Sequence, residues 1–314
     1  MPLRIVFMGT AELAGASLKA LLASEQFAVA AAVTRPDRPS GRESRARPPV
    51  VKTISEKAGL PLLQPESARD PAFAAALRAL RPELIVVAAY GQILPQPVLD
   101  LPAYGCVNVH ASLLPKYRGA APIQWAILNG EAETGVSIMK MAAGLDRGDV
   151  LSRRATPIGL DETAAGLQDR LAAMGAELLV ATLPPYVAGA ITPQAQDEGA
   201  ATYARKITKE DGRMDWTQAA AALRNRIRAF TPWPGAFGYW AGRGGRRLLK
   251  FWSAQVEPRQ GPVGEVLQAD KAGLVVACGT DALRVGQVQL EGGRKMTAAE
   301  FLAGHEIKPG ARIE

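Results

Sequence analysis

The first third of the chain alternates short apolar runs with a segment of helical periodicity, and this alternation restricts the fold. The runs Leu3–Met8, Ala28–Thr34 and Leu84–Ala88 are typical of strands, and Glu12–Leu22 has the spacing of an amphipathic helix. Strands that alternate with helices form a parallel sheet with right-handed crossovers. We therefore predict an α/β fold whose N-terminal domain is a Rossmann-like, mostly parallel sheet.

A glycine-bearing turn follows the first predicted strand, in the position where dinucleotide-binding proteins hold a pyrophosphate. The turn reads MGTAELAG, and its Gly9 and Gly15 do not fit the G-x-G-x-x-G spacing. That spacing is what allows the backbone to approach the pyrophosphate closely. An NAD-dependent enzyme is therefore disfavoured.

Length and cysteine content indicate the general class of protein. At 314 residues the chain is long enough for two domains with separate cores. Cys106 and Cys278 lie in apolar runs, so neither a disulfide framework nor a metal site is indicated. The N-terminus lacks a signal-peptide pattern, and the longest apolar run, Leu84–Tyr90, is shorter than the ~20 residues of a membrane helix. These features predict a cytoplasmic protein, with a monomer as the default.

Two polar residues occur in a further predicted strand, residues 105–110. Because side chains alternate between the faces of a strand, Asn108 and His110 share one face. The strand ends there, and open α/β sheets bind ligands at the carboxyl ends of their strands. Asp146 lies between two glycines in a loop, where its carboxylate is free to meet the imidazole of His110. Asn108, His110 and Asp146 are therefore candidate catalytic residues, although such a pair is often only hydrogen-bonded structure.

The residues around these three resemble a known enzyme superfamily. Asn108, His110, the run SLLPKYRG at 112–119 and the run GLDRGDVL at 144–151 resemble the tetrahydrofolate-dependent formyltransferases. Within that superfamily, four further segments are similar to the methionyl-tRNA formyltransferases: PDRPSGR at 36–42, residues 119–139, TYARKI at 202–207 and RAFTPWPGAF at 228–237.

The resemblance implies a reaction and a set of roles. The enzyme would transfer the formyl group of 10-formyltetrahydrofolate to the amino group of methionine on initiator methionyl-tRNA, without a metal ion. Asn108 would donate to the formyl oxygen, His110 would stabilise the tetrahedral intermediate, and Asp146 would orient His110 and help to remove the amine proton. The folate would be held by residues of two loops: Ser112, Leu113, Leu114, Pro115, Tyr90, Ile93 and Leu94.

The net charge of +7 is concentrated in two regions. Residues 34–52, predicted to include an exposed loop over 34–50, have a net charge of +4, and residues 209–314 have a net charge of +5. Charge concentrated in this way is typical of proteins that bind a polyanion, although a basic surface that only maintains solubility is an alternative. With the resemblance, the candidate tRNA-binding residues are Arg38, Arg42, Arg45, Arg205, Lys206, Arg224 and Arg228.

The C-terminal third changes character and predicts a small β-barrel, which the resemblance makes OB-like. After a helix over residues 218–230, strand-like runs recur at 248–252, 263–268, 274–278 and 283–290, and Thr297 with Glu300 has the pattern of a capping box. A helix over 162–183, capped by Asp161, closes the first domain. The predicted domains are a catalytic domain at 1–189, a linker at 190–207 and a tRNA-binding domain at 208–314.

Two other functions fit parts of this pattern. An amino-sugar nucleotide N-formyltransferase would share the three candidate catalytic residues, but its substrate has no extended phosphate backbone to match the basic, proline-rich loop. A tRNA-binding protein with a vestigial site would not need Asn108, His110 and Asp146 intact.

Overall fold

The computed structural model describes residues 1–40, 45–242 and 245–314. Within these residues the chain forms two compact units. Unit 1 consists of residues 1–122, 133–157 and 168–205, and unit 2 of residues 123–132, 158–167 and 206–314. Nearly all of the segment predicted as a linker therefore belongs to unit 1, and two short earlier segments belong to the C-terminal unit.

The first third of the chain alternates mainly between strands and helices, as the sequence predicts, and further helices and strands follow up to residue 204. In chain order they are β1 (Leu3–Gly9), α1 (Glu12–Leu22), β2 (Phe27–Val33), β3 (Arg38–Ser40), β4 (Arg45–Arg47), α2 (Val50–Lys57), β5 (Leu62–Leu63), α3 (Pro71–Leu80), β6 (Leu84–Ala88), α4 (Gln96–Leu99), β7 (Cys106–His110), β8 (Arg118–Gly119), α5 (Pro122–Leu128), β9 (Glu133–Lys140), β10 (Val150–Pro157), α6 (Ala164–Val187) and β11 (Tyr203–Ala204).

Seven of the described strands form the main sheet of unit 1, in the order β10-β9-β7-β6-β1-β2-β5. Strands β5, β2, β1, β6 and β7 are parallel, whereas β9 is antiparallel to β7 and β10 is antiparallel to β9. The prediction of a mostly parallel sheet is confirmed. Every residue of β7 is buried, so the polar residues Asn108 and His110 lie inside the fold.

Local sequence signals determine several helix ends. Asp70 caps α3, because its carboxylate accepts a hydrogen bond from the amide of Ala72 at 2.9 Å and Pro71 occupies the first helical position.

None of the described helices combines the length and apolar character that crossing a membrane requires.

Two predictions for the first two hundred residues are wrong in part. The segment 34–50, predicted as a loop, contains the antiparallel pair β3 and β4, because backbone hydrogen bonds between short strands need no apolar periodicity. Helix α6 begins at Ala164 rather than Glu162, and Asp161 does not cap it. The hydroxyl of Thr163 accepts from the amide of Gly166 at 3.4 Å, whereas the Asp161 carboxylate binds an arginine described below.

Unit 2 contains one helix, a run of strands and a final helix in its C-terminal part. They are α7 (Ala220–Ala229), β12 (Ala236–Gly242), β13 (Gly245–Glu257), β14 (Val266–Asp270), β15 (Gly273–Ala277), β16 (Ala282–Leu290), β17 (Met296–Thr297) and α8 (Ala298–Gly304). The predicted capping box at the start of α8 is confirmed, since Thr297 and Glu300 bond reciprocally. Strand β12 was missed, because the glycines in AFGYWAG weaken the strand pattern.

The strands of unit 2 form a curled antiparallel sheet in the order β12-β13-β16-β15-β14, with β17 beside β16, which confirms the OB-like prediction. The last residues of the chain pair with both edges of this sheet. Ile313 forms a bridge with Trp240 of β12, and Arg312 forms a bridge with Glu265 just before β14. The Ile313 side chain is 2% exposed and belongs to the core of the unit. The C-terminal segment therefore links the two edge strands.

Replacement of Ile313 by alanine should destabilise unit 2 by about 2–5 kcal/mol, and Ile313→Val by about 0.5–1.5 kcal/mol, as is typical of buried isoleucines. Tryptophan fluorescence during urea unfolding will measure this, because all five tryptophans of the chain lie in unit 2. Equal stability of the alanine variant and the wild type would show that the C-terminal segment does not hold the barrel together.

Candidate active site

The candidate site lies at the carboxyl end of β7. Asn108 and His110 point to the same face of this strand, as the alternation of side chains requires, and are 9% and 5% exposed. Their register partners on the antiparallel strand β9 are Met139 and Ser137. The two polar side chains are thus held on a strand with neighbours on both sides.

Asp146 comes to the same place from the loop between β9 and β10. Its Oδ1 accepts from Asn108 Nδ2 at 3.5 Å, and its Oδ2 lies 3.7 Å from His110 Nδ1. Oδ2 also accepts a 2.8 Å hydrogen bond from the backbone amide of Gly119. The structure therefore brings the three candidate catalytic residues together, and a backbone amide fixes the carboxylate among them.

The loop that carries Asp146 depends on a close backbone approach. Asp146 itself has a positive φ of 51°, an uncommon conformation for a residue other than glycine. A Cβ atom at Gly148 would lie 1.8 Å from the carbonyl oxygen of Lys140, so only glycine fits there. Gly148, two residues after Asp146, is thus required for the turn that returns the chain to β10.

The second ring nitrogen of His110 is also engaged. Nε2 lies 3.0 Å from the carbonyl oxygen of Tyr117. Because a carbonyl oxygen only accepts, Nε2 must carry a hydrogen when it makes this contact. Nδ1 is then the ring atom that faces Asp146, and the imidazole has a fixed orientation.

The loop after β7 contains four of the predicted folate residues and is tied to β9. The hydroxyl of Ser137 donates to the carbonyl oxygen of Ser112 at 2.7 Å and accepts from the amide of Leu114 at 3.0 Å. Ser112 is fully buried, Leu114 packs with Met139 and Val150, and Leu113 and Pro115 are half-buried. Two of the four side chains thus help to build the loop.

The loop after β6 contains the other three predicted folate residues. Tyr90 and Leu94 are buried in one hydrophobic cluster, whereas Ile93 is 69% exposed. Burial raises the pKa of Tyr90 to about 12, and its hydroxyl has no hydrogen-bond partner among the described residues. Of these three side chains, only Ile93 is open to a ligand.

An ionic network surrounds the Asp146 loop and was missed at the sequence level. Arg118 is fully buried and donates to both carboxylate oxygens of Glu198 at 3.0 Å, while Arg147 donates to Glu198 at 2.8 Å. Arg118 and Arg147 lower the pKa of Glu198 to about 2. Gln196 joins Arg118 to the Asp146 loop. One signal was present, since an arginine among small and apolar residues needs a partner.

Comparison with known proteins identifies the family of the chain. Residues 3–183 match the model of the formyl transferase family, and residues 206–306 match that of the formyl transferase C-terminal domain. The chain belongs to the formyl transferase family. It is therefore a formyl-transferring enzyme.

Relatives with high identity extend over the whole chain. A methionyl-tRNA formyltransferase of Citrifermentans bemidjiense is 48% identical, over 99% of this chain and 96% of the relative. Another, of Caldanaerobacter subterraneus subsp. tengcongensis, is 49% identical, over 99% of this chain and 100% of the relative.

Solved structures share the fold at much lower identity. HypX from Aquifex aeolicus, in complex with tetrahydrofolic acid, has a TM-score of 0.63 at 20% identity. The match covers 96% of this chain and 47% of the HypX chain. The N-formyltransferase from Helicobacter canadensis, in complex with folinic acid and dTDP-3-aminofucose, has a TM-score of 0.62 at 15% identity, covering 91% of this chain and 99% of that chain. At these identities the likeness concerns the fold alone.

A polar cluster lies just before the first strand of the basic 34–50 segment. Arg38 and Arg45 are on β3 and β4, and Arg42 lies outside the described residues. At the base of the pair, Asp37 binds Lys52 at 2.6 Å and accepts from Gln64 at 2.9 Å. The hydrogen bond with Lys52 is the main cause of the lowered pKa of Asp37. This cluster anchors the first strand of the pair to α2.

Two predicted tRNA-binding residues have partners within unit 2 instead. Arg224 binds the carboxylate of Asp161 at 2.6 Å and a backbone carbonyl at 2.9 Å. Arg228 is half-buried and donates to the carbonyl oxygens of Gly159 and Glu162. Burial also lowers the pKa of Arg228. The spacing of four residues does put both side chains on one face of α7, but that face binds residues 159–162. Arg205 and Lys206 are exposed after β11.

Replacement of Glu198 by glutamine should change the pH dependence of stability. Because the folded-state pKa of Glu198 is about 2, below the ordinary 4.5, the carboxylate contributes its full stability above about pH 4.5 and loses it as the pH falls toward 2. The difference in melting temperature between wild type and Glu198→Gln should therefore shrink between pH 4.5 and 2. Thermal unfolding followed by circular dichroism measures it.

A matched control is Glu177→Gln, which removes an exposed ion pair with Arg154. Exposed pairs contribute little, so this variant should follow the wild type across the series. If the difference in melting temperature between Glu198→Gln and wild type stays constant with pH, the lowered pKa of Glu198 in the folded protein is wrong.

Proposed function

We propose that this enzyme transfers the formyl group of 10-formyltetrahydrofolate to the amino group of methionine on initiator methionyl-tRNA, for translation initiation. One observation carries the proposal: Asn108, His110 and Asp146 meet at the end of β7, in a chain whose full-length relatives are named methionyl-tRNA formyltransferases. The reaction would take place in the cytoplasm, where we expect the enzyme to act as a monomer.

The three residues have the chemistry that the reaction needs. The methionyl amine attacks the formyl carbon, negative charge develops on the formyl oxygen, and positive charge develops on the attacking nitrogen. Asn108 donates to that oxygen, and His110 stabilises the same intermediate. Asp146 orients His110 and takes part in removing the amine proton. When the bond from carbon to N10 of the folate breaks, N10 takes up a proton and tetrahydrofolate leaves.

The substrates would meet on the Nδ1 side of the His110 ring. Nε2 is occupied by the Tyr117 carbonyl, whereas Asn108 and Asp146 present polar atoms near Nδ1. No metal ion is needed in this scheme, because the formyl group moves directly between two nitrogens.

The folate would bind between the loops that follow β6 and β7. Since Ser112, Leu114, Tyr90 and Leu94 are buried, we propose that these residues shape the folate site through their backbones and packing. Side-chain contacts are then left to Ile93, Leu113 and Pro115, which have exposed or half-buried surfaces.

The tRNA would be bound by basic residues of both units. Arg38, Arg42 and Arg45 belong to the segment with a net charge of +4, and Arg205 and Lys206 are exposed after β11. Residues 209–314 supply a further +5. Arg224 and Arg228 would reach a phosphate only by exchanging their hydrogen bonds to residues 159–162.

An assay with three acceptors tests the proposal. The enzyme receives 10-formyltetrahydrofolate together with charged initiator tRNA, an amino-sugar nucleotide or glycinamide ribonucleotide. We expect formylation of the charged tRNA alone. Formylation of only a small-molecule amine would reject the assignment and favour a small-molecule N-formyltransferase.

Alanine variants of Asn108, His110 and Asp146 should each lose turnover by about 10²–10³-fold, the typical effect of losing one oxyanion donor. Their tRNA affinity should stay within about twofold of wild type, because none of the three belongs to the basic segments. Single-turnover formylation and tRNA binding measure the two effects. His305→Gln is the matched control, since His305 is the only other histidine of the sequence and stacks on Phe301 in unit 2. Near-wild-type rates in the three alanine variants would remove their catalytic roles.

Arg42→Ala and Arg45→Ala distinguish two roles for the basic segment. A phosphate contact releases counterions, so its loss should lower the slope of log affinity against log salt by about 0.7–0.9. We expect this of Arg45→Ala. Arg42→Ala should reduce formylation more strongly and leave the slope nearly unchanged, if Arg42 guides the terminal nucleotide. The control is Arg154→Ala, which lies in an exposed ion pair elsewhere in unit 1. Unchanged formylation in both variants would make the segment a solvated connection.

A further inference from the structure

Gln196 uses all of its side-chain polar atoms to join two parts of unit 1. Its amide nitrogen donates to the carbonyl oxygen of Asp146 at 2.9 Å and to that of Gly148 at 2.7 Å. Its amide oxygen accepts from Arg118 Nε at 3.1 Å and Nη2 at 3.0 Å. Gln196 is buried, so these hydrogen bonds are shielded from water.

Arg118 holds the oxygen end of Gln196 in place. A fully buried guanidinium is costly unless its donors are satisfied, and Arg118 donates to Gln196 and, through two terminal nitrogens, to Glu198. A forked, bidentate pair of this kind fixes direction as well as charge. The position of Gln196 is therefore set by an arginine that cannot move without losing its own partners.

The other end of the network is Asp146. Its backbone has a positive φ, its carbonyl is held by Gln196, and its carboxylate is held by the Gly119 amide. Gly119 follows Arg118 directly on β8, which pairs with β11. The same two-residue strand thus fixes the Asp146 carboxylate directly and the Asp146 backbone through Gln196.

We propose that Gln196 and Arg118 are positioning residues for Asp146 in the formyl transfer proposed above, on which this inference rests. They act through Asp146: the Gln196 amide keeps the Asp146 backbone in its left-handed conformation, and the carboxylate then lies near His110 and Asn108. Residues 194–204, which lie within the linker predicted at 190–207, then help to position a catalytic residue.

Two substitutions at Gln196 separate the parts of the network. Gln196→Glu keeps an oxygen that accepts from Arg118 and replaces the donor to the two carbonyls by a second acceptor. Gln196→Met has a similar length and removes both sets of hydrogen bonds. Each should lower the single-turnover rate by roughly 10–10²-fold, the scale of a 1 Å misplacement of a catalytic group. KM for the folate and for the tRNA should stay within about twofold of wild type.

Rates are expressed per folate-binding site, so that only folded enzyme is counted. Glu177→Gln is the control, because it removes only an exposed ion pair with Arg154, and its rate should stay within about threefold of wild type. Asp146→Asn provides the rate that remains without the carboxylate. Wild-type rates in both Gln196 variants beside an impaired Asp146→Asn would overturn the inference and leave the proposed function intact. A raised KM at unchanged rate would also overturn it. A wild-type enzyme that does not formylate charged tRNA would reject the proposed function itself.

Discussion

The hydrogen bond from the Gly119 amide to the Asp146 carboxylate, 2.8 Å long, is the interaction on which the candidate site depends. It joins the segment after β7 to the loop between β9 and β10, which are far apart in sequence. Strand β7 fixes Asn108 and His110, and the Gly119 amide fixes the Asp146 carboxylate beside them. All three side chains are therefore held in place by the backbone around them. The sheet positions the ends of β7 and β9, and the Gly119 amide joins the segment that follows β7 to the loop that follows β9.

This arrangement requires a buried cation. The strand that contributes Gly119 also contributes Arg118, whose charge is removed from water and balanced by Glu198 and Gln196. An uncompensated buried charge strongly destabilises a protein, so the three residues must stay together. The segment 194–204, which contains Gln196 and Glu198, is itself held in place by the sheet. Its backbone pairs with β10 at Gln194 and with β8 at Tyr203.

The sequence predicted features that depend on neighbouring residues and missed those that depend on distant ones. Helix α1, strand β6, the Asp70 cap and the Thr297 capping box follow from patterns within a few residues, and the structure contains them. Asp161 has the local pattern of a cap, but Arg224 offers its carboxylate a charged partner 63 positions away. Likewise Gln196 and Glu198 have no local signal, because their partner Arg118 lies about 80 residues earlier.

The net charge of a segment therefore predicts a polyanion-binding surface less well than the hydrogen-bond partners of its individual charged groups do. The +5 of residues 209–314 includes Arg224 and Arg228, whose guanidinium groups bind carbonyl and carboxylate oxygens of residues 159–162. A phosphate could recruit them only by breaking those hydrogen bonds. Arg205 and Lys206 are exposed directly after β11, the strand that pairs with β8. The exposure and the bound partners of each basic residue therefore say more about a polyanion surface than the net charge of a segment does.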